Sequence, residues 1–163
     1  MSELTWNSID DCDTFAAALA AAGGPPLCIA LVGTLGAGKT QLVKSFVAAA
    51  GGDVSEVSSP TFVLVHQYYA RYEIVHADLY RLQSRAELDN VGLEDLIYGE
   101  AVSLIEWADK FPEVLPRDSL WITIRIEEDG TRRVALKAEP GTMAHEVARR
   151  VTETYEAKGQ RDA

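Results

Sequence analysis

The chain has 163 residues, about one domain, and its two cysteines, Cys12 and Cys28, lack the paired spacing of a disulfide or zinc framework. No apolar run approaches a membrane span and no basic start precedes an apolar stretch, so insertion and secretion are not expected and a reducing, cytoplasmic setting is. The formal net charge of -10 weighs against direct RNA or DNA binding, because a surface that repels phosphates supplies no counterion release.

Ser8 is placed to cap a helix from Ile9 through Phe15 and Leu19 to Ala22, with acidic residues near its positive end, and Gly23-Gly24-Pro25-Pro26 stops it. Leu27 to Val32 is apolar on both alternating faces, the pattern of a parallel strand covered by helices on two sides. Leu42, Val43, Phe46, Val47 and Ala50 then repeat at helical spacing up to Gly51-Gly52. After a loop over Ser55 to Pro60, Thr61 to Tyr69 and Tyr72 to Asp78 read as two strands in hairpin order. Arg85 to Tyr98 suggests a helix, a break at Gly92 and a second short helix. Ala101 to Ile105 is a buried strand. Leu120 to Glu127 alternates as a half-buried antiparallel strand, turns at Asp129-Gly130 and returns over Val134 to Leu136. Met143, Val147, Val151 and Tyr155 mark a last amphipathic helix, with fraying and disorder expected from about Lys158.

Between the first strand and the helix after it lies Gly33-Thr34-Leu35-Gly36-Ala37-Gly38-Lys39-Thr40, which fills the phosphate-loop pattern G-x-x-x-x-G-K-[ST]. Its glycines let backbone amides converge on a polyphosphate, the helix start adds positive potential, Lys39 reaches the outer phosphates, and Thr40 offers a hydroxyl to Mg2+. The expected fold is thus a single α/β domain over residues 1–163 of the phosphate-loop NTPase type. It has three layers, a mixed and mainly parallel sheet, and a C-terminal antiparallel hairpin. The site is expected at the carboxyl ends of the strands.

Hydrolysis or transfer also needs a carboxylate for the metal. Two apolar strands end in one: Ile74-Val75-His76-Ala77-Asp78 and Ser103-Leu104-Ile105-Glu106, and either acid can serve. His76 shares a strand face with Asp78, where it lines the site or acts as a structural partner. Trp107 faces away if its strand continues and turns toward the pocket if the strand has ended. Ser58-Ser59-Pro60-Thr61-Phe62 occupies the place of a switch loop that delivers Thr61 to metal and phosphate. Arg125, Arg132, Arg133 and Lys137 read as the solvated face of a hairpin.

These motifs, with Val65 beyond the S-P-T-F run and Leu79-Tyr80-Arg81-Leu82 after Asp78, make the chain similar over nearly its whole length to the TsaE (also YjeE) family. These are bacterial phosphate-loop ATPases of the pathway that makes threonylcarbamoyladenosine in transfer RNA. The S-P-T-[FY] loop and the H-x-D-L-Y-R strand end carry the resemblance most specifically. It implies that Gly36, Ala37, Gly38, Lys39, Thr40 and Gln41 bind ATP phosphates, with Gly33 and Leu35 in the same loop and Trp107 beside it. It implies that Thr40 and Glu106 hold Mg2+, with Asp78 as the other metal candidate. Lys39, Thr61, Asp78 and Glu106 form the implied catalytic set, and Thr14 in the first helix lies near the base. The family loop usually carries aspartate where Thr34 stands and proline where Ala108 stands, neither needed for phosphate contact.

The resemblance further implies a small ATPase that joins TsaB-like and TsaD-like proteins, meets tRNA only indirectly, and is slow until a partner completes its site; partner completion of such sites raises rates roughly 10³ to 10⁵-fold. Arg81 or Arg85 are the candidates for a positive group in cis. The alternatives are a small-molecule kinase, which usually carries an arginine-bearing lid where Pro112 to Asp118 offers only Arg117, and a nucleotide-gated binding module with incidental hydrolysis.

Overall fold

The computed structural model describes residues 1–58 and 64–161. The run Leu27–Val32 (β2) forms the centre of a seven-stranded sheet. It pairs in parallel with Val102–Glu106 (β5) on one side and Leu120–Ile126 (β6) on the other. Beyond β5, Glu73–Asp78 (β4) continues in parallel and Val65–Tyr69 (β3) closes that edge antiparallel to β4. Beyond β6, Arg132–Lys137 (β7) returns antiparallel, as the alternation and the Asp129-Gly130 turn predict. The last strand on this side is Ser2–Trp6 (β1), antiparallel to β7, so the order is β1-β7-β6-β2-β5-β4-β3.

The expected mixed sheet with its C-terminal hairpin is therefore observed, with one strand more than the sequence reading finds. Only Leu4 and Trp6 of β1 point inward, too short an alternation to separate a strand from a tail. The predicted strand start at Thr61 lies outside the described residues; the described part of β3 begins at Val65.

Helices cover both faces because the strands alternate two apolar sets. Ile29 and Leu31 of β2, with Val102 and Leu104 of β5, meet Ile9–Ala22 (α1), Lys39–Ala49 (α2) and Met143–Arg161 (α5). Cys28, Ala30 and Ile105 face the other way, toward Arg85–Val91 (α3), Leu93–Ile97 (α4) and the short turns around Phe111 and Val114. Gly92 breaks α3 from α4, as the sequence predicts. The Ser8 hydroxyl caps α1 by accepting from the Asp11 amide at 3.3 Å. The last helix runs past Lys158 to Arg161, and the Tyr155 hydroxyl donates to the Thr5 carbonyl at 2.8 Å, tying α5 to β1. No described helix is long and apolar enough to cross a membrane.

Both cysteines are buried and unpaired with each other. Burial pushes the Cys12 thiol up to about 11 and the Cys28 thiol up to about 12, with the Ser45 and Ser119 hydroxyls pulling weakly the other way. Because the thiolate is the nucleophile, neither is expected to react with iodoacetamide in the folded protein, and both should label once urea unfolds it. Labelling of native protein at the rate of a free thiol would show that these sites open far more readily than their packing allows.

Candidate functional site

Three strand ends meet at one edge of the sheet. In the parallel register Asp78 of β4 stands opposite Glu106 of β5, and Glu106 stands opposite Leu31 of β2. The backbone then leaves β2 at Val32 and turns through Gly33 to Gly38 into α2. A Cβ on Gly33 would sit 2.7 Å from the Ile124 carbonyl oxygen, so only glycine lets the loop leave the sheet this close to β6. Gly38 holds φ 115 at the N-cap of α2, a conformation that turns the loop amides toward the helix start and that side chains resist.

Thr40, one residue into α2, donates its hydroxyl to Glu106, at 2.9 Å from Oε1 and 3.0 Å from Oε2. Glu106 is held from behind: His76 Nε2 lies 2.6 Å from Glu106 Oε2. The Tyr68 hydroxyl lies 3.3 Å from His76 Nδ1, and His66 Nδ1 lies 3.2 Å from the same hydroxyl. His76 is fully buried and Glu106 nearly so. This file of polar groups runs from β3 through β4 and β5 to α2, and it orients a carboxylate that would otherwise rotate. His76 thus serves as the structural partner of Glu106, one of the two readings open from sequence. Asp78 is also buried, and its Oδ1 accepts from the Tyr80 amide at 2.9 Å.

Lys39 is 5% exposed, with Nζ donating to the Gly33 carbonyl at 2.5 Å and the Thr34 carbonyl at 3.0 Å. Burial holds its ammonium below the usual lysine range, while the Glu106, Asp78 and Asp109 carboxylates pull the other way. Trp107 settles its own ambiguity: it takes φ 58, ending β5, and turns its ring to the site, where Lys39 Nζ stands 4.3 Å from the ring centroid. Tyr80 packs on the same ring at 4.8 Å.

Two of the cavities beside the loop share its tip. One of about 240 Å³ is walled by Leu35, Lys39, Thr40, Asp78, Glu106 and Trp107. The other, about 340 Å³, is walled by Trp6, Asn7, Ser8 and Cys12 on one side and Arg132 on the other. Gly36, Gly38 and Gln41 line both, so the loop is the partition between them.

A sequence profile described as "Threonylcarbamoyl adenosine biosynthesis protein TsaE" matches residues 6–134. This chain belongs to the TsaE family. It is 36% identical over 108 residues to the tRNA threonylcarbamoyladenosine biosynthesis protein TsaE of Treponema pallidum, covering 66% of this chain and 79% of that protein. It is 35% identical over 141 residues to the protein of the same name from Bacillus subtilis, covering 85% of this chain and 87% of the relative. The crystal structure of YdiB from Bacillus subtilis superposes with a TM-score of 0.68 at 26% identity, over 99% of this chain and 97% of the other.

The TsaE sequence motifs meet at Lys39, Thr40, Asp78, Glu106 and Trp107, which share one cavity wall with Leu35, Gly36, Gly38 and Gln41. Ala37 packs in the core and faces the larger cavity. Gly33 sits behind the loop, against β6, rather than on either of these two walls. Thr14 is not a wall residue of either cavity; Asn7, Ser8, Ile9 and Cys12, at and just before the first turn of α1, line the larger one instead. Thr61 and the S-P-T-F loop lie outside the described residues. Neither Arg81 nor Arg85 lines either of these two cavities, and Arg85 pairs with Asp89 and Glu94. The residue that sequence reasoning missed is Arg132, whose only sequence signal is its place among basic residues after the hairpin turn.

Proposed function

We propose that this chain is the ATP-binding and ATP-hydrolysing subunit of the machinery that forms threonylcarbamoyladenosine at position 37 of tRNA, acting in the cytoplasm through a TsaB–TsaD type complex. Membership of TsaE supports the pathway. The observation that carries the ATPase reading is the Thr40 hydroxyl within 3.0 Å of both oxygens of a buried carboxylate, at the first turn of a phosphate-loop helix.

The two cavities divide the nucleotide between them. The smaller one, with its loop amides, Lys39 and Thr40, suits the phosphates; the larger, with Trp6, Ile9 and Cys12 beside Asn7 and Gln41, offers the mixed apolar and polar lining that a nucleoside takes. Among the described residues no group of three or more His, Cys, Asp or Glu side chains forms a ready metal cage. The donor set nevertheless fits Mg2+, which is typically held by one or two protein oxygens with the rest from phosphate and water. Thr40 and Glu106 would hold it, with Asp78 beside them, and when bound it would neutralise charge building on the transferred phosphoryl group.

The chain's own contributions follow from the geometry. Lys39 carries positive charge to the outer phosphates, and its carbonyl partners in the loop hold the ammonium until then. Trp107 covers one side and excludes water there. Asp78, on the same cavity wall, would orient the attacking water, and Thr61 is assigned to the switch loop. Among the described residues no arginine stands on the wall of the phosphate cavity, so turnover should be slow until a partner supplies or orders a positive group. The acidic surface fits a subunit that leaves tRNA to others.

The test is genetic and chemical together. Depleting the protein in its host should lower threonylcarbamoyladenosine in bulk tRNA; the wild-type gene should restore it and Lys39→Ala should not. Undiminished modification after depletion sinks the pathway assignment, whereas rescue by Lys39→Ala sinks the requirement for ATP.

A further inference from the structure

Arg132 opens β7 and sends its guanidinium 95 residues back along the chain to the phosphate loop. Its Nε donates to the Ala37 carbonyl at 3.0 Å and its Nη2 reaches the Gly36 carbonyl at 3.5 Å, while Nη1 donates to the Gly130 carbonyl of its own turn. The neighbouring arginine behaves differently: Arg133 turns outward to Glu127 at 2.8 Å and Glu3 at 3.7 Å.

A peptide unit is planar, so fixing the direction of a carbonyl fixes the amide on the other side of the same bond. The Gly36 carbonyl shares its plane with the Ala37 amide, and the Ala37 carbonyl shares its plane with the Gly38 amide. We infer that Arg132 is a positioning residue: it grips the outward carbonyls of two consecutive loop peptides, which holds the Ala37 amide on the Thr34 carbonyl at 3.0 Å and aims the Gly38 amide for a phosphate ligand. A guanidinium suits this task because its rigid fork presents parallel donors that a lysine ammonium lacks. The turn at Gly130 anchors the fork through Nη1, so the hairpin acts as a fixed post against which the loop is set.

The inference rests on the nucleotide-site reading for its ligand, but its structural half is testable without one. In Arg132→Ala, hydrogen exchange of the peptide spanning residues 34–40 in the ligand-free protein should quicken about tenfold, as for loss of a charged hydrogen bond. Affinities for ATP and for inorganic pyrophosphate should fall together by about the same factor. Arg133→Ala should leave both readouts at wild-type values. Arg132→Lys keeps the charge and loses the fork, so it should behave like the alanine variant. Should Arg132→Ala fail to fold, Arg132→Gln carries the same comparison.

Wild-type exchange and affinity in Arg132→Ala, or full rescue by lysine, overturns the inference. A loss confined to ATP, with pyrophosphate unaffected, also overturns it, since Arg132 would then be touching the nucleoside rather than setting the loop. A wild-type protein that binds neither ligand defeats the nucleotide reading, and the exchange comparison still decides the clamp.

Discussion

Lys39→Met is expected to weaken ATP binding roughly 100-fold, about 3 kcal/mol, the upper range for losing a charged hydrogen-bond donor. Methionine keeps an unbranched stem beside Trp107 and removes only the charge and its donors. In the nucleotide-free protein the same change has a second signature. The folded-state pKa of Lys39 lies below its ordinary 10.5 because burial penalises the ammonium. Between those two values the unfolded chain binds the proton that the folded chain has released, so stability rises with pH across that window. Wild-type stability should therefore improve relative to Lys39→Met as pH climbs from neutral toward 10.5, read as the difference in urea midpoints. A difference that stays flat over that range contradicts the depressed pKa, and unchanged ATP affinity contradicts the role given to the side chain.

Glu106→Gln should cut magnesium-dependent ATP hydrolysis by roughly a thousandfold, since metal-borne charge stabilisation of several kcal/mol depends on its ligand. The amide preserves the size of the carboxyl between Thr40 and His76, so the fold should survive and the Mg2+ concentration for half-maximal rate should rise. In the presence of the partner complex the defect should persist, because partners act on a positive group and not on this one. Removing Mg2+ with EDTA should bring wild type to the level of the variant. If Asp78→Asn shifts the Mg2+ dependence while Glu106→Gln does not, the two acids exchange roles. If the variant turns over at the wild-type rate, Glu106 is no metal ligand.

Much of this site can be read along the chain because it is built from strand ends. The apolar run of Leu27 to Val32, like those of Ile74-Val75 and Leu104-Ile105, tells where each strand is buried, and the residues just beyond fall at the edge where ligands meet the sheet. Glu106 and Asp78 were legible for that reason. The choice between the two orientations of Trp107 was not, because it depends on a single backbone angle, φ 58, that follows from the chain leaving the sheet. Arg132 was illegible for a different reason: an arginine after a hairpin turn looks solvated until the loop it grips is brought beside it from 95 residues away. Thr14, matched to a position near the base by family similarity, is not on the wall of the larger cavity, which the start of α1 and the residues before it meet through Asn7, Ser8, Ile9 and Cys12.

The pairing of β1 with β7 also constrains how the chain reaches this structure. Ser2 finds its partner at Leu136 and Trp6 at Arg132, so β1, made before β7, must wait for it. Until then Leu4 and Trp6 have no sheet to pack on, and a loop of more than a hundred residues must close before they do, which makes the step slow and late in folding. β6 and β7 can zip locally as a hairpin, and β1 then adds to its free edge. The larger cavity, whose wall includes Trp6, is consequently completed only after β1 has docked on β7, so the proposed nucleoside pocket should form later than the β6–β7 hairpin.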